Sequence, residues 1–182
     1  MNPSSLSIIA PALGLPGHSE AEMLGALAWL CMHSKNHRDL PLALFSQSLL
    51  NPIKKQQFML ASASLDGVQK PVAYVAWANF DADAESRYLA DGSHSLMRPE
   101  DWNCGDRMWI LDWVAPFGHT ASFVREVSIR LPESCHRFLY HKGDETGMQV
   151  KTSRGCAVSK AQAASWWSAR PMMAYSAMAT AI

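Results

Sequence analysis

Two short stretches of this 182-residue chain hold side chains that could do chemistry together. The first is HSKNHRDLP, residues 33–41, where two histidines, a lysine, an arginine and an aspartate follow the greasy segment MLGALAWLCM. The second is RMWILDWV, residues 107–114, which sets one carboxylate in an aromatic and β-branched run. Side chains alternate along an extended strand, so Met108, Ile110, Asp112 and Val114 share one face while Trp109, Leu111 and Trp113 share the other. Asp112 therefore stands in an apolar row. An ionised carboxylate buried without a partner costs several kcal/mol or takes up a proton, so a histidine, an arginine or several N–H donors must face it. Two arrangements meet that demand. One is a structural ion pair or a set of hydrogen bonds to loop amides; the other is a carboxylate that orients a catalytic imidazole.

His37 is the natural candidate for that imidazole, although a histidine in a charged loop is ordinarily a solvated one. The same plain reading covers His33, His94, His119, His136 and His141. Cys104, in WNCGDR, has no histidine close in sequence and reads as a packing residue rather than a nucleophile. Gly105 with Asp106 is too short a run to cradle a phosphate.

The elements that must position these residues can be read from caps and periods. Residues 1–18 are rich in Pro, Gly and Ser, show no sustained period and read as a loose arm. Ser19 with Glu22 forms a capping-box pattern, which predicts a helix over 20–33, apolar nearly all round as a helix packed between layers would be. A second helix is expected after Asp39, with Pro41 in its first turn and a stop at Asn51-Pro52, so the histidine loop joins two helices. From Gln56 two β-rich runs flank Asp66-Gly67, a hairpin signature. Residues 81–106 are polar and turn-rich. A buried strand over 107–114 follows, then a helix with Phe123, Val127 and Leu131 on one stripe, strands near 137–141 and 147–152, and a helix near 158–169. Helices and mostly antiparallel strands in mixed order imply a single α+β domain.

Composition narrows the function classes. Lys+Arg and Asp+Glu number 16 each, so no global field recommends nucleic acid or an anionic membrane, and any charge recognition must be local. The four cysteines form no CxxC pair, and there is neither a signal-peptide pattern nor an 18-residue apolar run. The expectation is a cytoplasmic protein with reduced thiols and no stable membrane insertion.

Three segments taken in order, GALAWLCMHSKNHRDLP, PVAYVAWANFDAD and DWNCGDRMWILDWVAPFG, resemble the RTX toxin-activating lysine acyltransferases of the HlyC/CyaC type over roughly residues 24–155. That resemblance implies a cytoplasmic enzyme that takes a fatty acyl chain from acyl-acyl carrier protein and delivers it to the ε-amine of internal lysines of an RTX protoxin. It implies a fold similar to the GNAT acetyltransferases, a homodimer, no tightly bound cofactor and no metal. The family's catalytic histidine falls on His37 and its catalytic aspartate on Asp112, with Ser34 at a further implicated position. Lys35, Arg38, Lys54 and Lys55 would meet the acidic carrier protein, and Tyr74, Trp77, Trp109 and Trp113 are aromatic residues fit to line an acyl slot. The acyltransferase domain is expected over 19–170, with 171–182 as an apolar tail.

Three positions depart from the family pattern. Leu40 stands where a Trp is usual, Ser48 where an Asn is common, and Tyr140 where an Arg is expected. They leave a second reading open, a binding module of the same fold that recognises protoxin or carrier protein without transferring anything.

Overall fold

The structure is a computed structural model, and it describes residues 6–15, 17–65, 67–91, 97–141 and 148–172. Asp66, His94 and the tail beyond Met172 lie outside the described residues. Strands β1 (Ser7–Ile9), β2 (Phe58–Leu65), β3 (Val68–Phe80), β4 (Arg107–Val114), β5 (Cys135–His141) and β6 (Met148–Arg154) form one six-stranded sheet in sequence order. Pairing is antiparallel at β1/β2, β2/β3 and β5/β6 and parallel at β4/β5. Helices α1 (Glu20–Met32), α2 (Leu42–Lys55), α3 (Ala82–Asp91), α4 (Thr120–Arg130) and α5 (Lys160–Ala169) complete the α+β fold, which is consistent with a GNAT-like arrangement. The chain packs as two compact units, one of Met1–Trp77 with Asp112–Arg130, the other of Ala78–Leu111 with Leu131–Ile182.

In the first unit, α1 begins as its sequence dictates. The Ser19 hydroxyl accepts from the Glu22 N–H at 3.3 Å, and the Glu22 carboxylate accepts from the Ser19 N–H at 2.8 Å. The helix buries one stripe, Met23, Leu27, Leu30 and Cys31, against Phe58 and Leu60 of β2, Tyr74 and Ala76 of β3 and Val114 of β4. Each large apolar side chain so buried contributes about 1.5–3 kcal/mol. The expectation that α1 is covered on every side fails: Trp29 and Met32 are 36% and 69% exposed.

Two other expectations need correcting. α2 does not stop at Asn51-Pro52 but runs through Pro52 to Lys55 and ends with Gln56 at φ 57°. Buried Leu49 and Ile53 hold the last turn against the core, which offsets the hydrogen bond the proline removes. The segment read as turn-rich contains α3, capped by Asp81, whose carboxylate accepts the Ala84 N–H at 2.7 Å. Its inward face carries Ala84, Tyr88 and Leu89, but also Glu85, and that charge hides the apolar stripe. Within the first eighteen residues, Ser7–Ile9 adds the edge strand β1, a run too short to show a period.

The second unit has its own core of Ala78, Phe80, Tyr88, Trp102 and Trp109. The chain touches itself closely at Gly105, where a Cβ would collide with the Phe80 carbonyl, so the glycine of WNCGDR serves packing. Buried in this unit is a charged node. Glu85 accepts from Arg107 at 2.5 Å, from the Trp109 indole N–H at 2.8 Å and from Arg137. Arg137 also donates to the Arg170 carbonyl and lies 5.2 Å from the ring centre of Trp167.

Candidate functional site

Asp112 is the sixth residue of β4, and it faces the same side as Val114, which packs in the core beneath α1. Trp113 points to the opposite face and meets Phe123 of α4 with ring centres 5.0 Å apart. Helix α1 ends at Met32, five residues before His37. Its chain then folds back in a tight turn: the His37 and Arg38 N–H groups both donate to the Ser34 carbonyl, at 3.1 and 3.0 Å. The turn places Ser34 and His37, three residues apart, side by side.

The three residues form a chain. His37 Nε2 lies 2.9 Å from Asp112 Oδ1, and His37 Nδ1 lies 2.8 Å from Ser34 Oγ. A carboxylate only accepts, so Nε2 carries the proton toward Asp112 and, in the neutral ring, Nδ1 presents its lone pair to the Ser34 hydroxyl. The side chains of His37 and Asp112 are 16% and 7% exposed, so the imidazole opens to solvent while the carboxylate stays behind it. Burial alone pulls the His37 pKa down, but the hydrogen bond and charge of Asp112 outweigh it and the result lies above the usual value of 6.5. The same carboxylate acts on its other neighbours. Burial, with the Asp112 charge behind it, pushes the Cys31 thiol up to about 12, and Tyr74 is held well above its ordinary value by the same two causes and by Cys31. Neither is a nucleophile as it stands.

The structure thus brings Ser34, His37 and Asp112 together. Lys35 and Arg38 sit exposed in the same turn, Arg38 beside Asp39 at 3.4 Å, and Lys54 and Lys55 are exposed at the end of α2. Tyr74 and Trp77 are buried on β3, at 0% and 4% exposure. Trp109 belongs to the Glu85 node. Of the other histidines, His33 donates through Nδ1 to the Trp29 carbonyl at 2.7 Å and its ring contacts Trp29 and Phe117. His136 is buried and pushed down to about 4 by that burial. Cys104 accepts from the Asp81 N–H at 3.3 Å, and burial raises its thiol. Sequence reading missed the Glu85 node. Its signal was Arg107 and Trp109, two residues apart and so on one strand face, both needing a partner.

At the departures, Leu40 is 40% exposed, the Ser48 hydroxyl donates back to the Leu44 carbonyl at 2.9 Å, and the Tyr140 ring carries Lys151 Nζ at 3.8 Å. The Leu40 N–H also donates to the His37 carbonyl at 3.1 Å, so this departure belongs to the turn that carries the imidazole. Among the described residues there is no group of three or more metal-ligating side chains, and no helix is long and apolar enough to cross a membrane.

An imidazole held at one nitrogen by a buried carboxylate, with its basic nitrogen beside a serine hydroxyl in a part-exposed turn, is equipped to take a proton from a nucleophile. Several proteins named as lysine acyltransferases are similar to this chain over most of its length. Protein-lysine palmitoyltransferase CyaC of Bordetella bronchiseptica is 40% identical over 157 residues, 85% of this chain and 80% of the relative. RTX-II toxin-activating lysine-acyltransferase ApxIIC of Actinobacillus pleuropneumoniae is 33% identical over 144 residues, 78% and 86% of the two chains. Protein-lysine myristoyltransferase HlyC of Escherichia coli is 37% identical over 116 residues, 64% and 65%. The RTX toxin acyltransferase family matches residues 17–154, which include Ser34, His37 and Asp112, and the chain belongs to that family.

Proposed function

We propose that this protein is a protein-lysine acyltransferase that activates an RTX protoxin, moving a fatty acyl chain from acyl-acyl carrier protein to internal lysine ε-amines. The observation that carries the reading is the 2.9 Å contact of His37 Nε2 with Asp112, which leaves Nδ1 as the basic atom on the open side. A lysine amine has a pKa of about 10.4, so at neutral pH only roughly one in two thousand is a free nucleophile. His37 removes the amine's proton as the nitrogen attacks the thioester carbonyl. The C–N bond forms, the tetrahedral oxyanion collapses, the C–S bond breaks, and the carrier's thiol leaves with a proton. Asp112 holds the ring in one tautomer and stabilises the imidazolium formed on the way. Ser34, hydrogen-bonded to the basic nitrogen, either yields its place to the amine or passes the proton along.

Lys35 and Arg38 flank the base with positive charge and suit an acidic carrier protein. An acyl slot along β3 requires Tyr74 and Trp77 to part, because both are closed off. We place the reaction in the cytoplasm and read the enzyme as a homodimer with its catalytic domain over 19–170, without a tightly bound cofactor; these points rest on the family resemblance.

The test is the intact mass of a co-expressed RTX protoxin domain. The expected result is a lysine-localised gain of one fatty acyl group that disappears with His37→Ala in a folded enzyme. No gain with the unmodified enzyme, despite a stable complex with the protoxin, would make the chain a binding module instead; near-normal transfer by His37→Ala would remove the base from the mechanism.

A further inference from the structure

Ser34 does more than open the turn that carries His37. A serine that only starts a turn points its oxygen at an N–H two or three residues on, where it accepts. In this turn the His37 N–H goes to the Ser34 carbonyl instead, and the Ser34 hydroxyl lies 2.8 Å from His37 Nδ1. With Nε2 protonated toward Asp112, that contact has one direction: the hydroxyl donates and the imidazole accepts. A hydroxyl set on a base, with the base oriented by a carboxylate, is the arrangement that activates a serine for attack. It is recognised by geometry, whatever the order of its members in the chain. Ser34 is part-exposed, so an acyl group can reach it. Attack also needs donors for the oxyanion, and serine hydrolases take one from the N–H of the residue after the nucleophile. Lys35 and Asn36, the two residues after Ser34, have N–H groups without a partner among the described residues.

We propose that Ser34 is a nucleophile and gives the protein a second activity, hydrolysis of fatty acyl thioesters and activated acyl esters. It operates when no lysine amine occupies the place beside His37. The proposal rests on the same His37–Asp112 pair as the acyltransferase reading but not on the lysine acceptor. His37 Nδ1 takes the hydroxyl proton as Ser34 Oγ attacks the carbonyl carbon. The C–O bond to Oγ forms, the tetrahedral intermediate collapses and the C–S bond breaks, or the C–O bond in an ester. The leaving thiolate or phenolate takes that proton from the imidazolium. Water then gives a proton to Nδ1 and attacks the acyl-serine carbonyl. The bond to Oγ breaks, Oγ recovers the proton, and the fatty acid is released. Asp112 keeps the proton on Nε2 through both halves.

The test uses the full chain without protoxin. Its probes are a long-chain alkyl fluorophosphonate, which marks activated serines, and p-nitrophenyl decanoate, whose hydrolysis is followed by absorbance. The expected result is a phosphonyl group on the peptide that carries Ser34, and a burst of about one p-nitrophenolate per chain before the steady rate. Ser34→Ala should lose the label and lower hydrolysis by about 10²-fold or more at a nearly unchanged melting temperature, and His37→Ala should lose both as well. Hydrolysis that persists in Ser34→Ala but not in His37→Ala makes His37 a direct base for water and overturns the proposal. Absence of both label and hydrolysis in the folded protein overturns it too. If Ser34→Ala does not fold, the position of the label in the unmodified protein decides: at Ser34 it supports the proposal, at any other residue it overturns it. Neither readout needs a lysine acceptor. Hydrolysis without transfer therefore counts only against the acyltransferase reading, and transfer without label or hydrolysis counts only against this one.

Discussion

Asp112 and Glu85 are both buried carboxylates on regular elements, 8% and 1% exposed, and the partners they meet differ in kind. Asp112 faces an imidazole, which gains and loses its proton near neutrality and is itself open to solvent. Glu85 faces two guanidiniums and an indole N–H, which act only as donors. Both carboxylates are satisfied, so burial of a charge does not by itself mark a reacting site. What separates them is whether the partner can change state. A fixed partner makes a joint; a titrating one can serve as a base, the role proposed for His37.

The sharpest way to break this contrast is to neutralise each carboxylate in turn. Asp112→Asn keeps the shape but no longer dictates the tautomer of His37, and transfer is expected to fall on the order of 10³–10⁴-fold with a small change in melting temperature. Initial rates on a protoxin domain, read beside thermal unfolding, check both halves; a large loss of stability with rates preserved would reverse the roles of the two carboxylates. Glu85→Ala takes the carboxylate from buried Arg137 and part-buried Arg107 and is expected to cost about 3–5 kcal/mol of stability. Urea unfolding measures that loss, and transfer per folded molecule should be retained.

The smallest effect is in pH, and it sharpens the contrast further. His37 binds its proton more tightly folded than unfolded, so its pairing with Asp112 stabilises the fold below the ordinary value of 6.5, and that contribution is lost as pH rises through the raised folded value. The base is free only on the other side of the same transition. Transfer should therefore rise with pH over the window in which this part of the stability declines. Rate and unfolding profiles recorded in one buffer series test the opposition, and His37→Gln should flatten the stability change within that window.

Much of this was legible in the chain before it folded. The strand over 107–114 has the bounds its aromatic and β-branched run predicted, and Asp112 declared itself as a charge in an apolar row. Ser19 and Glu22 announced α1. Where reading failed, a tertiary contact had overruled a local rule: Ile53 in the core carries α2 past Pro52, and α3 turns a glutamate inward because Arg107 and Arg137 wait for it. The site is the extreme case. Seventy-five residues separate His37 from Asp112, and nothing local to either says that they meet. Family likeness pointed to the pair; spacing alone could not.

The turn that carries Ser34 and His37 has a consequence in entropy. Its own main-chain hydrogen bonds fix the backbone, and the imidazole is held at both nitrogens, one by the hydroxyl and one by the carboxylate. Freezing a residue's backbone costs about 1–2 kcal/mol, and fixing its side chain adds to that. In this loop the freedom is surrendered once, when the chain folds, rather than at every turnover, so under the proposed mechanism an arriving substrate does not have to bring His37 into line.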